Sequence, residues 1–223
     1  MPLSKSEVLE RMRAPKLHER LIVEPFLDDN DETKSPPASI DVHLGNRFVF
    51  LRRGRSVLQD PLQLSQYPAA SDNPEAQGTE VFLPFGATVF LHPGQLVLGH
   101  TLEWFRLPAN LTAHVDGRSI WGRRGLIVVT ASAVQPGSAG TITLELANAG
   151  EVTVVISPGA AVAQLLFDIV APTDLRGKRP PFGVGNKPTF GRYRKSRSER
   201  ALLDLDRQRR HDTREASNDS KLS

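Results

Sequence analysis

The chain has 223 residues, 39% of them hydrophobic and 24% charged, which suffices to bury a core and argues against wholesale disorder. Cysteine is absent, so disulfides, catalytic thiols and every cysteine-ligated metal centre are excluded. The net charge of +3 conceals an asymmetry: residues 176–223 hold 14 Lys and Arg against 6 Asp and Glu, whereas residues 1–175 hold 14 against 19. Such a basic tail suits nucleic acid, a polyphosphate, or simply a solvated, frayed end. No apolar run approaches the roughly 20 residues that span a bilayer. The start, Met1-Pro2-Leu3-Ser4-Lys5-Ser6-Glu7, lacks the apolar core of a signal peptide. The expectation is a soluble, cytoplasmic protein with no membrane partner.

In chain order, residues 4–13 read as a short amphipathic helix, with Ser4 as N-cap, Glu7 completing a capping box and Pro15 as the stop. Leu21-Ile22-Val23 reads as a brief strand, and residues 28–37 as an acidic loop ending in proline. Ser39 to Gly45 alternates with period two and is followed by Arg47-Phe48-Val49-Phe50-Leu51, which predicts a strand pair. Residues 59–79, rich in Pro, Ser, Gln and Ala, read as a connecting loop. From Val81 to Val170 short β-prone runs recur at 89–91, 96–98, 111–115, 126–130, 141–146, 152–156 and 164–170. His92-Pro93-Gly94, Gln135-Pro136-Gly137 and Ser157-Pro158-Gly159 punctuate them. Nothing alternates strand with helix, so the dinucleotide-binding α/β folds are excluded in favour of a mostly antiparallel β domain. Beyond Pro172 a Gly/Pro/basic segment reads as flexible, and 199–214 as a charged helix whose apolar face is too narrow to stand alone.

Candidate chemistry lies in a few places. Gly117-Arg118-Ser119-Ile120-Trp121-Gly122-Arg123-Arg124-Gly125 places three guanidinium groups and a hydroxyl between glycines, a composition suited to an anion or to a solvated turn. Glu145 interrupts the apolar strand Thr141-Ile142-Thr143-Leu144-Glu145-Leu146-Ala147. Period two sets Thr141, Thr143, Glu145 and Ala147 on one face, which is either a solvent face or the wall of a pocket holding a proton-shuttling carboxylate. The Val128–Ala131 to Gln135–Gly137 connection reads as a hairpin whose small residues would admit a flat ring. The six histidines show no metal-ligand spacing, and neither a nucleophile elbow nor a Walker A loop occurs.

Taken together, these residues resemble the dCTP deaminases of the dUTPase-like superfamily. The resemblance is carried by Ala38-Ser39-Ile40-Asp41-Val42-His43-Leu44-Gly45-Asn46, the run Phe90 to Glu103, and Leu107-Pro108-Ala109-Asn110-Leu111. It continues through Gly117-Arg118-Ser119, Arg123-Arg124-Gly125-Leu126, Thr130-Ala131, Pro136-Gly137, Gly140, Thr143-Leu144-Glu145, Asn148, Pro158-Gly159 and Gln164-Leu165. It implies a distorted antiparallel β-barrel over residues 1–172 with a short N-terminal helix, assembled as a homotrimer, and a basic, partly disordered lid and tail over 173–223. The implied reaction is hydrolytic deamination of dCTP to dUTP and ammonia, a step in making dTTP precursors. It uses no zinc, Mg²⁺ accompanies the triphosphate, and dTTP is a possible inhibitor.

In the terms of that family, Glu145 would shuttle the proton, with Ser119 and Arg123 positioning water and base. Arg118, Ser119 and Arg123, with Ile120, Trp121 and Gly122 between them, would line the triphosphate site from an adjacent subunit. Backbone at Ala131, Thr143 and Leu144 would read the pyrimidine, Gln135 would face the sugar, and Phe182 and Lys187 would belong to the lid. No metal-ligating side chain is expected. The chain departs from the family pattern at Ile120, where a second serine is usual, at Gln135, where an aspartate is usual, and in the lid. Those departures leave two alternatives: a non-catalytic deoxynucleotide sensor on the same fold, and a dUTPase or bifunctional enzyme making dUMP, against which the neutral Gln135 argues.

Overall fold

A computed structural model describes residues 2–27, 36–51, 78–130, 133–175 and 188. Helix α1 (Lys5–Met12) begins where the capping box sets it. The Ser4 hydroxyl accepts from the Glu7 backbone N–H at 3.3 Å, and the Ser4 N–H donates to the Glu7 carboxylate at 2.8 Å. The bond from the Ser4 N–H foremost, and a second donated by the Ser4 hydroxyl to the same carboxylate oxygen at 2.8 Å, hold the Glu7 carboxyl below the ordinary range. Val8 is fully buried, and the Leu3 N–H donates to the Phe167 carbonyl at 2.8 Å, so the helix is pinned to the body at its first turn.

The rest is β-structure. The strands are β1 (Ile22–Glu24), β2 (Ile40–His43), β3 (Arg47–Leu51), β4 (Gly78–Phe82), β5 (Val89–Leu91), β6 (Leu96–His100), β7 (Trp104–Arg106) and β8 (Leu111–Gly117). After the one-turn helix α2 (Ser119–Gly122) come β9 (Leu126–Val128), β10 (Ala133–Val134), β11 (Ala139–Gly140), β12 (Thr143–Asn148), β13 (Val154–Ile156) and β14 (Ala161–Ile169). They form sheets of order β10-β8-β14-β2, β4-β3-β6-β12-β9, β1-β7-β11 and β5-β13. Every pairing among the described residues is antiparallel. The alternating pattern is realised directly. In β8 Leu111, Ala113 and Val115 are buried, and in β14 Leu165 and Phe167, packed with Phe48, Phe105 and Leu144.

The punctuation is realised as well. Gln95, Ser138 and Ala160 donate their N–H to the carbonyls of His92, Gln135 and Ser157 at 3.0, 3.1 and 3.1 Å. The central glycines have φ of 72°, 77° and 86°. Proline second and a positive-φ glycine third define a type II turn, which fixes where each strand reverses.

Two pairings differ from the sequence reading. β2 and β3 do not pair: β2 joins β14, and β3 lies between β4 and β6. The chain passes from one sheet to the other at Leu44 and Gly45, where Leu44 bridges Thr101 and Gly45 donates to the His100 carbonyl at 2.7 Å. A Cβ on Gly45 would lie within 2.8 Å of three atoms of the buried His100 ring, too close for any residue but glycine without displacing that ring. Nor is the 128–137 connection a hairpin, because β9 pairs with β12 and β10 with β8. The reading of 59–79 as loop is overturned only at its end, where Gly78 and Thr79 open β4. Its remainder lies outside the described residues, as does the tail from Arg176 apart from Pro188.

Candidate active site

Glu145 stands on β12, opposite Leu98 of β6 and one residue before the Leu146–Val128 pair with β9. Along β12 the burial alternates as the sequence implies. Leu144 and Leu146 are fully buried, and Thr143, Glu145 and Ala147 are half-buried on the other face. The β9 ladder does not end cleanly. The Val129 N–H donates to the Glu145 carbonyl at 2.8 Å, and the Glu145 N–H donates to the Thr130 hydroxyl at 2.9 Å. Thr130 thus replaces a ladder bond with a side chain and locks the backbone of the glutamate from both sides. The Glu145 carboxylate itself makes no hydrogen bond or ion pair among the described residues. A half-buried carboxylate with a fixed backbone and open oxygens is a group able to accept a proton.

The arginine turn lies beside this strand: α2 packs against β9, which pairs with β12. Its near end rests on an irregularity of β14, where Ala161 faces His43 and Ala163 faces Val42, leaving Val162 as an extra residue. Arg118 donates its backbone N–H to the Val162 carbonyl at 3.1 Å. The Ala161 carbonyl accepts from the Trp121 indole Nε1 at 2.8 Å and from Arg118 Nη1 at 3.5 Å. Arg118 Nη1 also lies 3.3 Å from the Asp41 carboxylate on β2.

The far end is held at Gly125, whose φ is 91° and whose Cβ, if present, would meet Gly150 backbone at 2.8 Å. Gly150 is fixed in turn by Asn148. Its Oδ1 accepts from the Gly150 N–H at 2.9 Å, and its Nδ2 donates to the carbonyls of Leu91 and Val152 at 2.7 and 2.8 Å.

Between these anchors Ser119, Ile120, Gly122, Arg123 and Arg124 are exposed. Arg124 donates Nη1 to the Ile120 carbonyl at 2.7 Å and so closes its own turn, whereas Arg123 has no side-chain partner among the described residues. Of the three arginines proposed for an anion, Arg123 is open, Arg118 is half committed, and Arg124 is spent locally. Within one chain no bond joins Glu145 to Ser119, Arg118 or Arg123 among the described residues.

Thr143 is half-buried on the Glu145 face, but the Leu144 side chain belongs to the core, so only its backbone can meet a ligand. Gln135 opens its type II turn with an exposed side chain. Ala131, Phe182 and Lys187 lie outside the described residues. Three contributors escaped the sequence reading. Asp41 and Thr130 stand there only within motifs, and Trp121 stands there as a substrate-site residue without the bond its indole N–H makes to the Ala161 carbonyl. Their partners lie 15 to 77 positions away along the chain, so no local pattern announces them.

Two buried polar groups complete the surroundings. Glu103, 1% exposed, accepts from the His43 N–H at 3.1 and 3.0 Å and lies 2.6 Å from His43 Nδ1. His100, 4% exposed, accepts at Nε2 from the Arg47 N–H at 3.3 Å and has Nδ1 2.7 Å from the Thr101 carbonyl. An accepting Nε2 and a donating Nδ1 define the neutral imidazole. Burial pushes its pKa down; the Thr101 bond opposes and the Arg47 charge adds. No group of three His, Cys, Asp or Glu side chains among the described residues is placed to hold a metal ion. No described helix is long and apolar enough to cross a membrane.

The fold and site define a class: an antiparallel β protein that presents arginines on a doubly anchored turn one strand away from an unpartnered carboxylate. The profile of the dCTP deaminase-like family matches residues 3–170. A dCTP deaminase of Halorubrum lacusprofundi is 38% identical over 82% of this chain and 83% of its own. A dUMP-forming dCTP deaminase of Dictyoglomus thermophilum is 39% identical over 66% of this chain and 72% of its own. The crystal structure of a 2′-deoxycytidine 5′-triphosphate deaminase from Agrobacterium tumefaciens shares the fold, with a TM-score of 0.53 and 21% identity. That match covers 76% of this chain but 46% of that one, so the chain spans less than half the length of that structure. The chain belongs to the dCTP deaminase-like family.

Proposed function

We propose that this protein hydrolyses the 4-amino group of dCTP, giving dUTP and ammonia, with Glu145 as the proton shuttle. The observation that carries the reading is the Glu145 carboxylate, half-buried, backbone-locked and unpartnered among the described residues, on a strand whose opposite face is buried in the core. Water adds through its oxygen to C4 while Glu145 takes one of its protons. The same carboxyl group then delivers that proton to the departing amine, the C4–N4 bond breaks with release of ammonia, and the remaining proton of the added hydroxyl passes to N3, leaving the C4 carbonyl and N3–H of the uracil ring. A positioned general base of this kind contributes about 10²–10⁴-fold.

Arg123 and Ser119 orient water and base, and Arg118, Ser119 and Arg123 receive the triphosphate. The turn serves the site of a neighbouring subunit in a homotrimer of distorted barrels, the assembly that the family resemblance implies. Ile120 and Gly122 shape that turn. Backbone at Ala131, Thr143 and Leu144 reads the pyrimidine, Gln135 hydrogen-bonds the sugar, and Phe182 and Lys187 belong to a lid within 173–223. Magnesium enters as part of the nucleotide, held by phosphate oxygens, and dTTP occupies the same site as an inhibitor. The reaction takes place in the cytoplasm.

The dUMP-forming relatives favour a second reading, in which dUTP is hydrolysed further. Gln135 argues against it, because a neutral amide cannot activate water. A time course separates the readings: purified protein with dCTP and Mg²⁺ yields dUTP and ammonia that accumulate together. Accumulation of dUMP and pyrophosphate selects the second reading, and binding of dCTP without any product overturns both.

A further inference from the structure

The donors that fasten the arginine turn converge on one feature, the extra residue in β14. Arg118 N–H, Arg118 Nη1 and Trp121 Nε1 are all directed at the carbonyls of Ala161 and Val162. A regular ladder would have engaged these carbonyls with a neighbouring strand, and the register shift between Ala161 and Ala163 turns them towards α2 instead.

From the opposite side Asp41 meets the same Nη1 at 3.3 Å. Its side chain is 16% exposed and that of Arg118 35%, so the pair is shielded on the Asp41 side and open on the other. The guanidinium is therefore held by one corner. Its Nε and Nη2 have no partner among the described residues. These are the two donors of the fork that pairs with an oxyanion in bidentate fashion.

We propose that Trp121 and Asp41 are positioning residues that aim the free fork of Arg118 at the nucleotide's triphosphate. The inference rests on the reading of Arg118 as a triphosphate ligand. Trp121 fixes the turn through its indole N–H, which donates to the Ala161 carbonyl and which phenylalanine lacks. Asp41 prevents the guanidinium from rotating the wrong edge outward. An arginine already fixed loses less rotamer freedom on meeting the phosphate, which appears as affinity rather than as turnover.

The test uses the full-length protein and Trp121→Phe, Asp41→Asn, Arg118→Ala and the double variant Trp121→Phe/Arg118→Ala. Binding of inorganic tripolyphosphate is measured by calorimetry, with KM and kcat for dCTP alongside. Each single substitution at 121 and 41 weakens tripolyphosphate binding about fivefold, the equivalent of one lost hydrogen bond, and raises KM by more than it lowers kcat. In the Arg118→Ala background Trp121→Phe has no further effect, because its action runs through Arg118. A purely structural role would keep its effect in that background, and this result overturns the proposal. So does unchanged affinity in Trp121→Phe. Tighter binding by Asp41→Asn also overturns it, since Asp41 would then compete with phosphate. If Asp41→Asn fails to fold, the cycle at Trp121 decides alone. Loss of affinity in Arg118→Ala with none at 121 or 41 defeats only the positioning claim. Unchanged affinity in Arg118→Ala defeats the triphosphate reading together with it.

Discussion

Asn148 is the polar centre on which the far end of the arginine turn depends, and its substitution separates packing from hydrogen bonding. The side chain is 1% exposed and makes three bonds, donating twice to backbone carbonyls and accepting once from a backbone N–H. Asn148→Ala removes all three, which leaves the Leu91 carbonyl without this partner in the interior and the Val152 carbonyl and Gly150 N–H without it in part-buried positions. At about 1 kcal/mol net per bond, and more where a group stays unsatisfied, the loss is about 3–5 kcal/mol. For a protein of this size that lowers Tm by about 6–20 °C.

Asn148→Asp is the sharper case, because it preserves shape. The acceptor to Gly150 survives, but a carboxylate oxygen now faces the carbonyls of Leu91 and Val152 where an NH₂ donated. Asp is therefore no better than Ala at neutral pH despite being isosteric. Acidification recovers part of the loss, since a protonated carboxyl donates to one of the two carbonyls. Denaturant midpoints for the three proteins, measured from pH 7 to pH 4.5, give the comparison. If Asn148→Asp unfolds at the wild-type midpoint at neutral pH, the donor assignment is wrong and the clamp described here does not exist.

His100 makes stability pH-dependent with a definite sign. Burial depresses its folded pKa below the unfolded value near 6.5, so the unfolded chain takes up the proton first as pH falls. Its contribution is complete above pH 6.5 and is lost as pH falls through the folded value, and His100→Gln flattens that part of the denaturant-midpoint curve. Gly125→Ala brings a side chain to a φ of 91° and a Cβ to 2.8 Å from Gly150 backbone. It costs about 1–3 kcal/mol in a thermal melt and raises KM for dCTP by displacing Arg123. Gly45→Ala, whose Cβ would come within 2.8 Å of three His100 ring atoms, lowers the unfolding free energy obtained from denaturant titration by about 1–3 kcal/mol.

The parts of this molecule that were legible in its sequence are those governed by neighbours along the chain. The capping box at Ser4 and Glu7 starts α1, because both partners lie within one turn. Apolar alternation between X-Pro-Gly turns marks β8 and β14, and the two faces of β12 follow from period two. Partnership was not legible. The stretch 40–51 contains two strands that belong to different sheets, and only the seat of Gly45 on His100 shows why the chain crosses there. β7, β10 and β11 carry two or three residues each, too few for any period to register. The site divides in the same way. Glu145 stands out as a charge in an apolar strand, and the arginines stand out by number. The ion pair from Asp41 to Arg118 and the bond from Trp121 to Ala161 depend on a register shift in β14 that no local pattern encodes.

The central claim is that Glu145 moves the proton, and Glu145→Gln tests it most directly. The wild-type and variant proteins are incubated with dCTP and Mg²⁺, products are separated by chromatography, and dCTP binding and Tm are measured on both. The account predicts dUTP and ammonia from the wild type and a loss of at least about 10²-fold in kcat for the variant. Tm stays within a few degrees, because the carboxylate has no partner to lose among the described residues. Deamination by the variant at the wild-type rate, or dCTP binding by both proteins with no turnover in either, would contradict it.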